Sequence, residues 1–189
     1  MSPSAMRFGL VLPLFLALTP GAIAGQDAGR RVEVFAGAGL ARMGGDEGSL
    51  GTGPGIVAGF GYGLSARLRL EIELIRARHE RDIAGGPLEG TVTSGTANLA
   101  YTRTRGRTRI FVSAGAGILS SRTTHTFPSG GENVTVKSSD DDFAWGAGGG
   151  VDIFLKRRLS LRPAFRWVTS EATGVMGLIV ATVTAGYHW

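Results

Sequence analysis

Charged residues at alternate positions are the first candidates for chemistry in this sequence. Glu71 and Glu73 stand two residues apart, so on a strand both carboxylates share one face, as an acid–base pair requires. Arg69 shares that face, and an arginine beside two carboxylates favours ion pairing over proton transfer. The same alternation elsewhere gives four acids and four bases, which we predict to form one salt-bridge network: Glu33, Arg69, Glu71, Glu73, Arg109, Asp152, Arg162 and Arg166.

Two glycine-rich runs, at residues 59–63 and 146–150, resemble loops that bind phosphate. Such a loop must lie at the N-terminus of a helix, and the sequence pattern predicts no helix after either run. Three consecutive aspartates at residues 140–142 offer oxygen ligands for a hard cation, although a solvated loop is the interpretation we favour. Neither feature therefore predicts a binding site.

Histidine and cysteine chemistry is equally restricted. His79, His125 and His188 lie far apart and lack the spacing of metal ligands, and the chain contains no cysteine. The formal net charge of +5 comes from scattered basic residues, which argues against a nucleic-acid partner. We predict no catalytic residue, no cofactor, no cofactor-binding residue and no metal site, and a protein that is not an enzyme.

The segments that carry these residues alternate with a period of two. From Arg67 to Leu74, four apolar residues occupy one face and four charged residues the other, which is typical of a strand. Seven further runs follow the same rule. We predict eight strands of about ten residues, at 32–40, 56–64, 67–74, 97–102, 109–118, 143–153, 159–167 and 179–189.

The connections between these strands alternate in length. Three are short, at 65–66, 104–107 and 156–158, and four are predicted to be polar loops, at 42–53, 82–94, 123–142 and the shorter 170–176. Short turns at one end and long loops at the other describe an outer-membrane barrel. Its closure leaves no strand edge unpaired in lipid. The predicted fold is all-β, an eight-stranded antiparallel up-and-down transmembrane β-barrel over residues 25–189.

Residues 1–24 have the parts of a secretory signal peptide. A positive charge precedes an apolar run from Phe8 to Leu18, and the small residues Ala22 and Ala24 mark a cleavage site after Ala24. The apolar run is well short of the ~20 residues that a membrane-spanning helix needs. We expect export from the cytoplasm and a location in the bacterial outer membrane.

Outward-facing aromatic residues test this topology. Because export leaves the N-terminus in the periplasm, even-numbered strands run back toward that side. Strand order then places two groups of aromatic residues near the two membrane surfaces, as interfacial girdles require. The group near the periplasmic rim is Tyr62, Tyr101, Tyr187 and Trp189, and the group near the extracellular rim is Phe143, Trp145 and Trp167.

The inward face predicts a closed interior. An eight-stranded barrel is only wide enough for its own side chains, so charges inside it must pair. Ten glycines share the inward face and leave room for long charged side chains: Gly37, Gly39, Gly59, Gly61, Gly63, Gly115, Gly117, Gly146, Gly148 and Gly150. We predict a plugged, monomeric barrel with a charge-paired lumen.

The signal peptide, the eight alternating strands and the terminal segment Ala185–Trp189 resemble the small outer-membrane β-barrel superfamily, which includes the OmpA-like and OmpX/Ail-like barrels. Members end in an aromatic residue, usually Phe, that the barrel-assembly machinery reads, whereas this chain ends in Trp189. The resemblance implies insertion by that machinery through the C-terminal strand. It also implies contact with outer-membrane lipids and lipopolysaccharide.

Three functions remain open on the sequence. We favour a non-enzymatic barrel whose surface loops support envelope structure, adhesion or binding of an extracellular ligand, with loop 123–142 and its His125, Phe127 and Lys137 as the main surface. The second is a narrow, porin-like pore or small-solute channel, or a soluble lipocalin-like carrier. The third is a lipid A-modifying enzyme, which would need a serine and a histidine together on the outer surface near the extracellular rim.

Overall fold

A computed structural model describes residues 32–45, 48–83, 86–129, 132–170 and 177–189, so the predicted signal peptide lies outside the described residues. Eight antiparallel strands form one closed barrel in sequence order, which confirms the predicted fold class. β1 pairs with β8 and closes the ring. Within the described ranges, no helix is long and apolar enough to cross a membrane. The strands are β1 (Val32–Gly45), β2 (Gly48–Gly63), β3 (Leu68–Ile83), β4 (Gly86–Arg105), β5 (Thr108–Ser129), β6 (Glu132–Lys156), β7 (Leu159–Ser170) and β8 (Gly177–His188).

Three tight turns join β2 to β3, β4 to β5 and β6 to β7 at one end of the barrel, where Val32 and Trp189 also meet. The Ser65 hydroxyl accepts hydrogen bonds from the backbone amides of Arg67 and Leu68 in the first turn. We call this end the turn end and the opposite end the hairpin end. Because the short turns are predicted to face the periplasm, the hairpin end is the predicted extracellular end.

The strands extend past their predicted ends, and three of the predicted long loops are wrong. Segments 42–53, 82–94 and 123–142 continue as paired strands, with only two residues between the last paired positions of each hairpin. Threonine, serine and valine in these segments suit a strand. Their two faces differ little in polarity, which hides the period of two. The fourth predicted loop, 170–176, lies outside the described residues except for Ser170, the last residue of β7.

β3 to β6 continue beyond the barrel as a four-stranded sheet at the hairpin end. The described β2–β3 pairing stops at Ala77 and the β6–β7 pairing stops at Ala144, whereas β4 and β5 stay paired up to His125. We call this extension the outer sheet, comprising residues 78–83, 86–94, 120–129 and 132–143. It stands above one side of the barrel.

The two faces of each strand have the predicted assignment. On β5, Ser113 is buried in the lumen and Ala114 is exposed on the outside. Both aromatic groups face outward: the Tyr187 and Trp189 rings lie 5.6 Å apart at the turn end. Toward the hairpin end, the Trp145 and Trp167 rings meet edge to face at 4.9 Å. An exposed apolar belt between them matches a lipid-facing surface.

Candidate functional site

The eight predicted charged residues form one connected group in the lumen, which we call the lumen network. Each strand sends every second residue inward, and the register of the strands sets their heights. Four acids and four bases make the network neutral, and all are buried except Arg109, whose side chain is 13% exposed. β1 contributes Glu33; β3 contributes Arg69, Glu71 and Glu73; β5 contributes Arg109; β6 contributes Asp152; and β7 contributes Arg162 and Arg166.

Glu33 has partners on four other strands. Its Oε2 atom accepts hydrogen bonds from Arg69 Nη1 at 2.6 Å and Arg109 Nη2 at 2.5 Å, and its Oε1 atom accepts one from Arg162 Nη2. His188 Nδ1 lies 3.3 Å from the same Oε2 atom. One carboxylate therefore links β1 to β3, β5, β7 and β8 across the lumen.

Arg162 is the central base of the lumen network. Its Nε donates to Asp152 Oδ1 at 2.5 Å, and its Nη1 lies 3.3 Å from Glu71 Oε1. Arg166 extends the network toward the hairpin end, with Nε 2.8 Å from Glu73 Oε1 and Nη2 3.2 Å from Glu71 Oε2. Removing one partner of a buried ion pair lowers the free energy of unfolding by about 3–5 kcal/mol, so such a network stabilises the barrel only when it is complete.

Aromatic rings and glycines fill the space around the network. The Arg162 guanidinium lies 4.4 Å from the centre of the Phe35 ring and 5.0 Å from that of Phe111, within the range of cation–π attraction. Gly148 leaves room for Arg166, because a Cβ atom there would lie 2.6 Å from Arg166 Cδ. The predicted role of the inward glycines is confirmed at this position.

An apolar layer, which sequence analysis missed, lies above the lumen network toward the hairpin end. A signal was present on β3: its outward positions change from Leu74 to Arg76, while its inward positions change from Glu73 to Ile75. The apolar side chains thus move from the outside to the inside of the barrel where the strands leave the lipid. Phe35, which also contacts Arg162, connects the layer to the lumen network. The other members are Ala41, Met43, Val57, Ile75, Ala77, Val92, Leu119, Ala144, Val168, Leu178 and Val180.

His79 lies on the inward face of β3 beyond this layer and beyond Leu74, the last outward apolar residue of its strand. Its side chain is buried, and Nδ1 has no hydrogen-bond partner among the described residues. Burial therefore lowers the pKa of His79 below its ordinary value. The neutral imidazole is the form that this position favours.

The turn end of the lumen contains an arrangement that resembles a hydrolytic triad, formed by Ser160, His188 and Glu33. Ser160 Oγ lies 2.8 Å from His188 Nε2, and His188 Nδ1 faces Glu33. However, Ser160 is only 3% exposed, and the His188 ring packs 5.0 Å from the Phe154 ring. A nucleophile needs room for a substrate carbonyl beside it, and this hydroxyl has none.

The predicted surface residues are divided between two faces of the outer sheet. His125 and Phe127 lie together, with ring centres 5.2 Å apart. Lys137 pairs with Thr124, so it points to the opposite face. The aspartates at 140–142 alternate between the two faces, and no cluster of three metal-ligating side chains occurs among the described residues.

A groove of about 480 Å³ lies on the outward face where the outer sheet leaves the barrel. Hydroxyl groups and two guanidinium groups dominate its lining: Arg76, Glu89, Thr91, Thr93, Ser120, Arg122 and Thr124. Register places Thr91 directly between Arg78 and Arg122 on neighbouring strands. Such a surface suits a ligand with phosphate and sugar hydroxyl groups.

Comparison with known proteins agrees with this architecture. Neisserial surface protein A has a TM-score of 0.64 at 17% identity, covering 84% of this chain and 97% of that one. Ail of Yersinia pestis, solved with the heparin analogue sucrose octasulfate, has a TM-score of 0.61 at 15% identity, covering 85% of this chain and 99% of that one. A major outer membrane protein from Thermus thermophilus has a TM-score of 0.60 at 13% identity, covering 85% of this chain and 100% of that one.

At these identities the likeness to solved structures shows the fold alone. No curated protein sequence matches the chain. The family described as outer membrane protein beta-barrel domain matches residues 8–188, almost the whole sequence. The chain therefore belongs to the outer membrane protein beta-barrel domain family.

Proposed function

We propose that the protein is a non-enzymatic, monomeric barrel whose lumen is closed to solutes and whose outer sheet contacts ligands at the cell exterior. The observation that carries the closed lumen is its filling by two layers, the neutral lumen network and the apolar layer above it. Water and ions would have to cross both. A narrow pore is the alternative that this filling argues against.

Conductance across planar bilayers tests the closed lumen. Folded protein should give no stepwise current, because paired side chains fill the lumen at the network and the apolar layer interrupts any polar path. A general porin added to the same bilayer serves as the positive control, and a shifted unboiled band on a denaturing gel verifies that the barrel is folded. Current steps comparable to those of the porin would overturn the proposal.

The Ser160–His188 contact is the observation that favours a second function, hydrolysis of an acyl bond. Its burial in the lumen supports a structural role instead, since the lipid A-modifying activity considered above needs its serine on the outer surface. Lipid A from cells with and without the protein should have identical mass spectra. A product that has lost an acyl chain, absent in a Ser160→Ala strain, would establish the enzyme.

The groove beside Arg76 and Arg122 supports contact with lipopolysaccharide phosphates. The groove begins at Arg76, the next outward residue after Leu74. On a tilted strand this step is roughly 5 Å along the membrane normal, which brings Arg76 to the beginning of the polar headgroup layer. An Arg76→Gln/Arg122→Gln variant should retain less lipid A after detergent extraction than the protein with Arg42→Gln, an outward arginine on β1 at the same end. Equal retention would remove this contact from the proposal.

The inner face of the outer sheet supports binding of an extracellular ligand. Val134 and Val136 are exposed, and they lie directly across from Phe127 and His125. An exposed apolar patch above the membrane marks a contact surface. Phe127→Ser should reduce adhesion of bacteria carrying the protein to matrix-coated surfaces, whereas Thr126→Ala on the opposite face should not. Unchanged adhesion in both would exclude this patch.

Assembly completes the proposed function. Export directed by residues 1–24 would deliver the chain to the barrel-assembly machinery, which reads the end of β8. Trp189 and Val32 exchange backbone hydrogen bonds of 3.3 and 3.1 Å, so the last residue takes part in barrel closure. Trp189→Ala should lower the amount of folded barrel in cells but leave refolding in detergent intact. Equal losses in both assays would indicate a stability defect without a recognition step.

A further inference from the structure

Six exposed cations crowd the turn end of the barrel, which we call the basic rim. They belong to the ends of β4 and β6 and the turns that follow: Arg103, Arg105, Arg107, Lys156, Arg157 and Arg158. The described acids at this end, Glu33 and Asp152, are buried in the lumen and engaged by its arginines. The basic rim is therefore uncompensated by any acidic side chain that the structure describes nearby.

The basic rim lies at the depth of lipid headgroups. Arg103 and Arg105 follow Tyr101 at outward-facing positions of β4. Arg158 Nη1 donates a hydrogen bond of 3.2 Å to the hydroxyl of Tyr187, an outward residue of the turn-end aromatic group. Tyrosine hydroxyls mark the boundary between the hydrocarbon and the headgroups. Arg103 and Arg105 are the first and second outward residues beyond that boundary. Each step adds about 5 Å in depth on a tilted strand, so both arginines reach the phosphate layer.

Short connections restrict which partner can neutralise the basic rim. Only two residues separate β4 from β5, and only two separate β6 from β7. The rim therefore stays close to the membrane surface instead of projecting into the periplasm as the outer sheet projects into the medium. Lipid phosphates are present at that surface, whereas a protein or cell-wall polymer would have to approach it.

We propose that the basic rim binds the headgroups of anionic phospholipids, of the phosphatidylglycerol class, in the periplasmic leaflet of the outer membrane. A basic residue near an anionic bilayer surface raises affinity by about fivefold, so several together give a strong and salt-sensitive preference. The inference requires the orientation of the barrel but neither a closed lumen nor a ligand at the outer sheet. It can fail while the proposed function stands.

Native mass spectrometry of the folded barrel tests the proposal by counting bound lipids. The protein is equilibrated at low salt with equal amounts of phosphatidylglycerol and phosphatidylcholine that carry the same acyl chains. The test variant is Arg103→Gln/Arg158→Gln. The control, Arg42→Gln/Lys137→Gln, makes the same change in net charge at the hairpin end, at positions outside the groove beside Arg76 and Arg122. Unboiled gel mobility verifies the folding of every variant.

The unaltered protein and the control should retain at least about tenfold more phosphatidylglycerol than phosphatidylcholine. In the test variant this preference should fall at least about tenfold, since each arginine contributes about fivefold, and added salt should reduce the preference of the unaltered protein. Equal loss in the control would assign the preference to net charge and overturn the site. Binding to isolated cell-wall sacculi that needs Arg103 and Arg158, without any lipid preference, would overturn the lipid proposal in favour of a polymer partner.

Discussion

Removal of the Glu71 carboxylate should destabilise the barrel far more than removal of a carboxylate outside the lumen. Glu71 is fully buried, and its oxygens lie 2.6 Å from Arg69 Nη2, 3.3 Å from Arg162 Nη1 and 3.2 Å from Arg166 Nη2. The Glu71→Ala change removes one of the carboxylates that neutralise these guanidinium groups. A buried charge that loses its partner costs about 3–5 kcal/mol. Glu80→Ala, at an exposed position on the same strand, is the matched control.

Urea unfolding of the detergent-folded protein, followed by tryptophan fluorescence, measures the difference. At a slope of about 3 kcal/mol per M or less, Glu71→Ala should lower the midpoint by at least about 1 M. Glu80→Ala should leave it unchanged. Glu71→Gln keeps the side-chain volume, so a similar loss in that variant assigns the effect to charge and not to a cavity. Equal midpoints for Glu71→Ala and Glu80→Ala would refute the paired lumen.

Further predictions concern the faces, the packing and the histidine. Ala114→Arg should cost about 2–4 kcal/mol in a lipid bilayer, because it places a charge on the lipid face near the middle of the membrane; a cost below about 1 kcal/mol would contradict that assignment. Gly148→Ala should lower the urea midpoint, since overpacking costs about 1–3 kcal/mol, whereas Gly44→Ala meets no atom within 4 Å and should not. The lowered pKa of His79 means that the folded state resists protonation, so its stability advantage over His79→Gln is complete above pH 6.5 and declines as the pH falls below it. Parallel pH profiles for the two proteins would contradict the burial of a neutral imidazole.

Sequence reasoning works well inside the membrane because lipid imposes a sharp contrast between the two faces of each strand. The faces of Ser113 and Ala114, the aromatic groups and the eight members of the lumen network all follow from that contrast and from strand order. Pairing of the eight charges needs no further information, since an eight-stranded lumen brings inward side chains within reach of one another.

The same reasoning fails where the strands leave the lipid. Beyond Leu74 and Ile118 the outward residues become polar, whereas the next inward residues, Ile75, Ala77 and Leu119, are apolar. A search for strands with an apolar exterior therefore ends too early. The apolar layer and the outer sheet were missed for this reason. The contact between Ser160 and His188 depends on the β7–β8 register, which a single sequence does not encode as a motif.

Cysteine accessibility on β5 tests the central claim, a sealed lumen behind a lipid-facing surface, most directly. The native chain has no cysteine, so each substitution reports one site. In native membranes, Val112→Cys and Ala114→Cys should react with a lipid-soluble thiol reagent, and Ser113→Cys should react with neither that reagent nor a small water-soluble one. Ser139→Cys, exposed on the outer sheet, should react with the water-soluble reagent in intact cells. Reaction of Ser113→Cys with the water-soluble reagent at the rate of Ser139→Cys would show an open, water-filled lumen and contradict the account.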